Sequence, residues 1–188
     1  MAVYLASTSP RRKELLAVIL PQFNQLSPQV EEKEYPQLTP REKAVRLSKD
    51  KCIAAVNHIR EKGMVIIASD TVVDLDGKVL EKPKDRQDAV NMISALSGKT
   101  HHVYSAVTVY KNGKIYTFSE DTAVHFGFVP DDVIQKYVDT SEPYDKAGGY
   151  AIQGFMGDYI DRIEGDYYNV VGLPVENLKK LLKFLNIM

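Results

Sequence analysis

Three hydroxyls and two guanidiniums fall together in Ser7-Thr8-Ser9-Pro10-Arg11-Arg12. The segment follows the apolar run Val3 to Ala6 and precedes Leu15, Leu16 and Ile19 at helical spacing. It is therefore expected at a strand-to-helix turn, with Ser9 at the N-cap and Pro10 at N1. Unpaired backbone N–H groups and the helix dipole attract an anion at such a turn, and a phosphate suits the cations beside it. Taken alone, the segment also reads as an ordinary N-cap followed by two solvated arginines.

Other residues converge in type. Lys51 lies four residues after Leu47, at the border of a helical apolar stripe. Lys82 follows a strand in Glu81-Lys82-Pro83, where Pro83 removes a donor and fixes the exit path. Each lysine by itself also fits a snorkelling surface role. Asp70 comes directly after the buried-looking run Met64 to Ala68, so its carboxylate needs a metal, a cation or a reacting water; a helix N-cap is the competing role. In Glu142 to Gly154, paired glycines permit close backbone approach to a ligand. There Gln153 can both donate and accept, as reading a base edge requires, although the stretch also reads as a plain glycine-rich loop between strands.

These side chains need elements to hold them. Thr39-Pro40-Arg41-Glu42 opens a second helix with a capping box, continued by Val45, Ser48, Cys52, Val56 and Ile59. Met64 to Ala68 is too short and too β-branched for a helix, and is expected as a strand with Ser69-Asp70-Thr71 at its C-terminal end. Asp76-Gly77 and Asn112-Gly113 mark two hairpins, the second joining Val103–Tyr110 to Ile115–Phe118. Asp85 caps a helix carrying Ala89, Met92, Ile93 and Leu96 that stops at Gly98. Thr122 to Phe128 alternates as a half-buried strand, Pro130 opens a helix through Val138, and a last helix spans Val175 to Leu185. Ile163–Tyr167 and Asn169–Pro174 are rich in turn residues and are expected to pack around the site. Helices interleave with strands throughout, which places the chain in the α/β class with a mixed sheet.

Composition narrows the function. The 188 residues, 44% hydrophobic and 26% charged, suffice for one large domain or two intimate lobes. With 24 Lys+Arg against 25 Asp+Glu, the net charge of −1 supplies no global field for wrapping a polyanion, so stable nucleic-acid binding is not expected. One cysteine, Cys52, cannot form an intrachain disulfide or a Cys-rich zinc site, and a cytoplasmic setting fits it. No run approaches the ~18 apolar residues of a membrane span, so no membrane partner is expected. His58, His101, His102 and His125 show no metal-ligand spacing. P-loop and G-x-S-x-G signatures are missing, which excludes those two chemistries.

The motifs Leu5 to Leu16, Ala68 to Val73, Glu81 to Pro83, Leu96 to His101, Glu142 to Gly154 and Ile163 to Pro174, in this order, resemble the Maf family of nucleoside triphosphate pyrophosphatases. The resemblance implies one ITPase-like domain over 1–188: an elongated mixed β-sheet flanked by helices, with a cleft between two lobes. It implies hydrolysis between the α- and β-phosphates assisted by a divalent metal cation, Mg²⁺ or Mn²⁺, with Asp70 as general base and Asp70 and Glu32 on the metal. Ser7, Arg12, Lys51, Lys82 and Lys146 would hold the phosphates. Arg11, Thr71 and Gln153 match the branch that takes dTTP and UTP, where the branch resembling 7-methyl-GTP pyrophosphatases has Trp, Gln and Glu. Clearing of modified pyrimidine nucleotides and a homodimer are compatible with this reading. A regulatory module that grips a triphosphate without cutting it is the competing one, and Asp70 separates the two. Phe155-Met156-Gly157-Asp158 departs from the family's usual basic, glycine-rich stretch, and is expected to alter the loop beside the base pocket.

Overall fold

Apolar runs bounded by caps and tight turns form seven strands and six helices in the computed structural model, which describes residues 1–30, 35–59 and 61–188. In chain order they are β1 (Val3–Ala6), α1 (Pro10–Ile19), β2 (Asn24–Leu26), α2 (Pro40–His58), β3 (Val65–Leu75), β4 (Lys78–Leu80), α3 (Arg86–Leu96), β5 (Thr100–Lys111), β6 (Lys114–Phe126), α4 (Asp131–Val138), β7 (Ile160–Glu164), α5 (Tyr167–Val171) and α6 (Val175–Phe184). The expected caps are present: Ser9 Oγ accepts from the Arg12 N–H, Asp85 accepts from the Asp88 N–H, and Thr39 and Glu42 close a reciprocal capping box.

All strands belong to one mixed sheet in the order β2-β1-β3-β5-β6-β7, with β4 also paired to β3. β1 runs parallel to β2 and β3, and the remaining pairs are antiparallel. β3 is the spine. Along one edge it pairs with β5 without interruption from Val65 to Asp74. Along the other edge it pairs with β1 from Val65 to Ala68 and with β4 from Val73 to Leu75. Residues 69–72 thus have a strand neighbour on one side and a gap in the sheet on the other.

Alternation along β3 sends Val65 and Ile67 into one core and Val73 and Leu75 into another on the same face, with Ser69 and Thr71 between them. The first core is closed by α1 and α6 through Leu16, Ile19, Leu178 and Leu182; the second is closed by α3 and α4 through Ile93, Leu96, Ile134 and Val138. These are the two lobes, and the polar stripe between them floors the cleft. The opposite face carries Ile66 and Ala68 against Cys52 and Ala55 of α2.

Several expectations change. Ser69-Asp70-Thr71 lies inside β3 rather than at a strand end, because the β5 ladder carries the strand through its polar centre; no helix starts there for Asp70 to cap. The two segments expected around Ile115 and Thr122 are one strand, β6, which ends at Phe126, leaving Phe128 77% exposed beyond it. The supposed turn stretches contain β7 and α5, and β2 was not foreseen.

Candidate active site

A cavity of about 600 Å³ opens where the sheet edge is missing. Ser7 to Arg12 form its rim from the end of β1 and the start of α1, Lys51 enters from α2, and Asp70, Thr71 and Val73 enter from β3. Lys82 arrives from the segment after β4, and Lys146, Tyr150 and Gln153 from the turns after α4. Every proposed site residue among those described therefore lines one cavity. Glu32 lies outside the described residues. The lining combines Asp70 and the cations with the apolar side chains of Val73, Val103, Ile152, Val170 and Val171.

Asp70 is buried, and its carboxylate is paired with the Lys51 ammonium across the α2–β3 contact. Ser7 is 4% exposed; its Oγ accepts from the Ser9 N–H, so the hydroxyl is fixed at the helix entry. Arg12 reaches under the floor: Nε donates to the Gly172 carbonyl at 2.9 Å and Nη2 to Thr71 Oγ1 at 2.9 Å. Burial pulls this guanidinium's pKa down, and the charge of Asp70 opposes that pull. Lys146 is held by the Glu142 carbonyl and by the Asp145 carboxylate. Burial pushes the Asp145 carboxyl up, but the hydrogen bond and charge of Lys146, with the charge of Arg11, bring it below its ordinary range.

The paired glycines serve packing rather than approach to a ligand. A Cβ on Gly148, at φ +72°, would stand 3.0 Å from the Val73 side chain, and one on Gly149 3.2 Å from Pro83. Phe155 and Met156 do not line the cavity. Met156 is buried in the second core and Phe155 stacks on Tyr137, so the atypical loop supports the Gln153 segment from behind. Tyr150 is a wall residue to which sequence reading assigned no role; its hydroxyl lies 2.6 Å from His101 Nε2. Burial pushes the Tyr150 phenol up and brings His101 down to about 4, so the pair is neutral. The -T-H-H- motif hinted at His101 only as one of four unassigned histidines.

The donor set bears on a divalent cation. Among the described residues there is no group of three His, Cys, Asp or Glu side chains that could cage one. Two of the described carboxylates line the cavity, Asp70 paired with Lys51 and Asp145 paired with Lys146. So small a carboxylate set, with the remaining positions open to phosphate oxygens and water, suits a divalent cation arriving on a triphosphate.

Similarity to known proteins agrees with this geometry. A dTTP/UTP pyrophosphatase of Carboxydothermus hydrogenoformans is 45% identical over 185 residues, 97% of this chain and 98% of that protein. A dTTP/UTP pyrophosphatase of Aliivibrio fischeri is 46% identical over 183 residues, 96% of each. The solved Ham1 protein of Staphylococcus aureus shares the fold, with a TM-score of 0.56 at 13% identity over 98% of this chain and 100% of that one. Residues 2–185 match the family described as Maf-like protein, and the chain belongs to that family.

Proposed function

We propose that the protein hydrolyses nucleoside triphosphates, dTTP and UTP foremost, to the nucleoside monophosphate and pyrophosphate. The observation that carries this is one cavity lined by apolar side chains, by five cationic ones and by the buried Asp70. The names of the full-length relatives support the same reaction. The reading takes the chain as one catalytic domain over 1–188, working in the cytoplasm, where the buried thiol of Cys52, pushed up to about 12 by desolvation, stays reduced.

In this reading the triphosphate lies along Ser7, Arg12, Lys51, Lys82 and Lys146. Asp70 takes a proton from a water as the water oxygen bonds to the α-phosphorus and the bond to the α–β bridging oxygen breaks. The bridging oxygen leaves with pyrophosphate, and the surrounding cations neutralise its charge. Lys51 holds the Asp70 carboxylate in one orientation for that transfer. A bound divalent cation, held by Asp70 and, in the family pattern, Glu32, supplies charge neutralisation on the phosphates. Arg11, Thr71 and Gln153 read the base.

Product analysis with dTTP and UTP in the presence of Mg²⁺ or Mn²⁺ tests the proposal. Monophosphate and pyrophosphate are expected. Nucleoside diphosphate with orthophosphate would place cleavage at the wrong bond, and binding without cleavage under either metal would leave a regulatory module.

A further inference from the structure

Behind Thr71 a chain of buried hydrogen bonds has only one consistent direction. The Ser105 hydroxyl owns a single proton, and it goes to the Asn169 main-chain carbonyl at 2.8 Å, a group that can only accept. Asn169 is fully buried and immobilised: its Oδ1 accepts the Ser105 N–H at 3.0 Å, while its amide donates to the Val103 carbonyl at 2.8 Å and to Thr122 Oγ1 at 3.0 Å. With the Ser105 proton committed, the 2.8 Å contact between Thr71 Oγ1 and Ser105 Oγ must run from Thr71 to Ser105. Thr71 Oγ1 also accepts from Arg12 Nη2. A hydroxyl has one proton and two lone pairs. Thr71, a lining residue of the cavity, therefore has its proton spent, one lone pair filled and one without a partner among the described residues.

We infer that Ser105 is a positioning residue for base selection, which fixes Thr71 as an acceptor-only group in the cavity wall. Ser105 is itself 0% exposed and does not line the cavity, so it acts only through Thr71. An acceptor-only oxygen takes a pyrimidine edge that carries a ring N–H, as in uracil and thymine. It opposes an edge whose ring nitrogen bears a lone pair, as in cytosine, because two acceptors then face each other in a desolvated site. The inference rests on the nucleotide reading above and adds the origin of its selectivity.

The test measures kcat/KM for UTP and CTP with Mg²⁺ on the full chain. The unaltered protein should favour UTP. Ser105→Ala frees the Thr71 proton to point into the cavity, and should lower the UTP-to-CTP ratio about tenfold, the scale of one neutral hydrogen bond. Part of that change should be a gain for CTP, which packing damage would not produce. Ser105→Thr keeps a hydroxyl and should keep the ratio. Should Ser105→Ala fail to fold, Thr71→Val removes the oxygen, and should weaken UTP turnover and lower the ratio with no gain for CTP. The inference is overturned if Ser105→Ala or Thr71→Val cleaves UTP with the parental ratio, if Ser105→Thr loses the ratio as alanine does, or if the unaltered protein treats the two substrates alike. A protein that cleaves no triphosphate at all refutes instead the reading beneath it.

Discussion

The substitution His101→Gln tests whether the Tyr150 wall of the cavity depends on a neutral imidazole. His101 is 1% exposed, its Nε2 is engaged by Tyr150, and its Nδ1 is buried with no partner among the described residues. An imidazolium there would lose its hydration and strand an N–H, and positive charge on His102 or His125 would add repulsion, which is why its pKa falls from 6.5 to about 4. A base whose pKa is lowered by folding binds its proton more tightly in the unfolded chain. The stability it permits is therefore complete above the unfolded value, declines as the pH drops from 6.5 towards 4, and levels off below that. At about 1.4 kcal/mol per pH unit, the window removes about 3 kcal/mol. A glutamine side chain in its place would still reach the tyrosine hydroxyl and would not titrate. Urea denaturation of both proteins at pH 7 and at about pH 4.5 should show the parent losing roughly 2–3 kcal/mol more than the variant, the carboxylates common to both cancelling. Equal losses in the two proteins would refute the argument.

Two further substitutions probe the site. Asp70→Asn keeps shape while removing the proposed base and the partner of Lys51, and should lower turnover by at least about 10² with the fold retained; full activity in a pyrophosphate-release assay would move the base elsewhere. Gly172 has φ +120°, and a Cβ there would stand 3.3 Å from Thr71 Oγ1, so Gly172→Ala should cost about 1–3 kcal/mol of backbone strain in urea unfolding and loosen the carbonyl that Arg12 and Ser69 share. An unchanged midpoint would show that this turn is not constrained.

What the sequence discloses and what it hides follow from the range of the forces involved. Ser9, Thr39 and Asp85 cap their helices through bonds that span three residues, so composition and spacing alone locate them. Asp76-Gly77 and Asn112-Gly113 are equally local. Ser69-Asp70-Thr71 misleads because its polarity belongs to the cleft, while its extended backbone is imposed by β5 more than thirty residues downstream. β2 has only three residues and no fully buried one, so it carries no periodic signal. The cations of the cavity were legible by motif and side-chain type. Ser105 and Asn169 were not, since nothing in a serine or an asparagine announces that it will be sealed between sheet and helix with every bond assigned.

The gap beside residues 69–72 of β3 has a mechanical consequence. The two lobes are joined by β3, β5 and β6, which pass from one core to the other without a loop between them. Domain hinges elsewhere are a few loop residues that absorb large changes in φ and ψ. Here such rotation would break ladder hydrogen bonds in three strands together, so the jaws can move only as the sheet's own twist changes, a stiff mode shared over many peptide units. The missing stretch of edge strand is where that stiffness is locally relieved, because β3 is restrained there from one side alone. Asp70 thus sits on a leaf spring at its least braced point, and in the reaction proposed above small elastic changes in the sheet would set how far its carboxylate stands from the bound nucleotide.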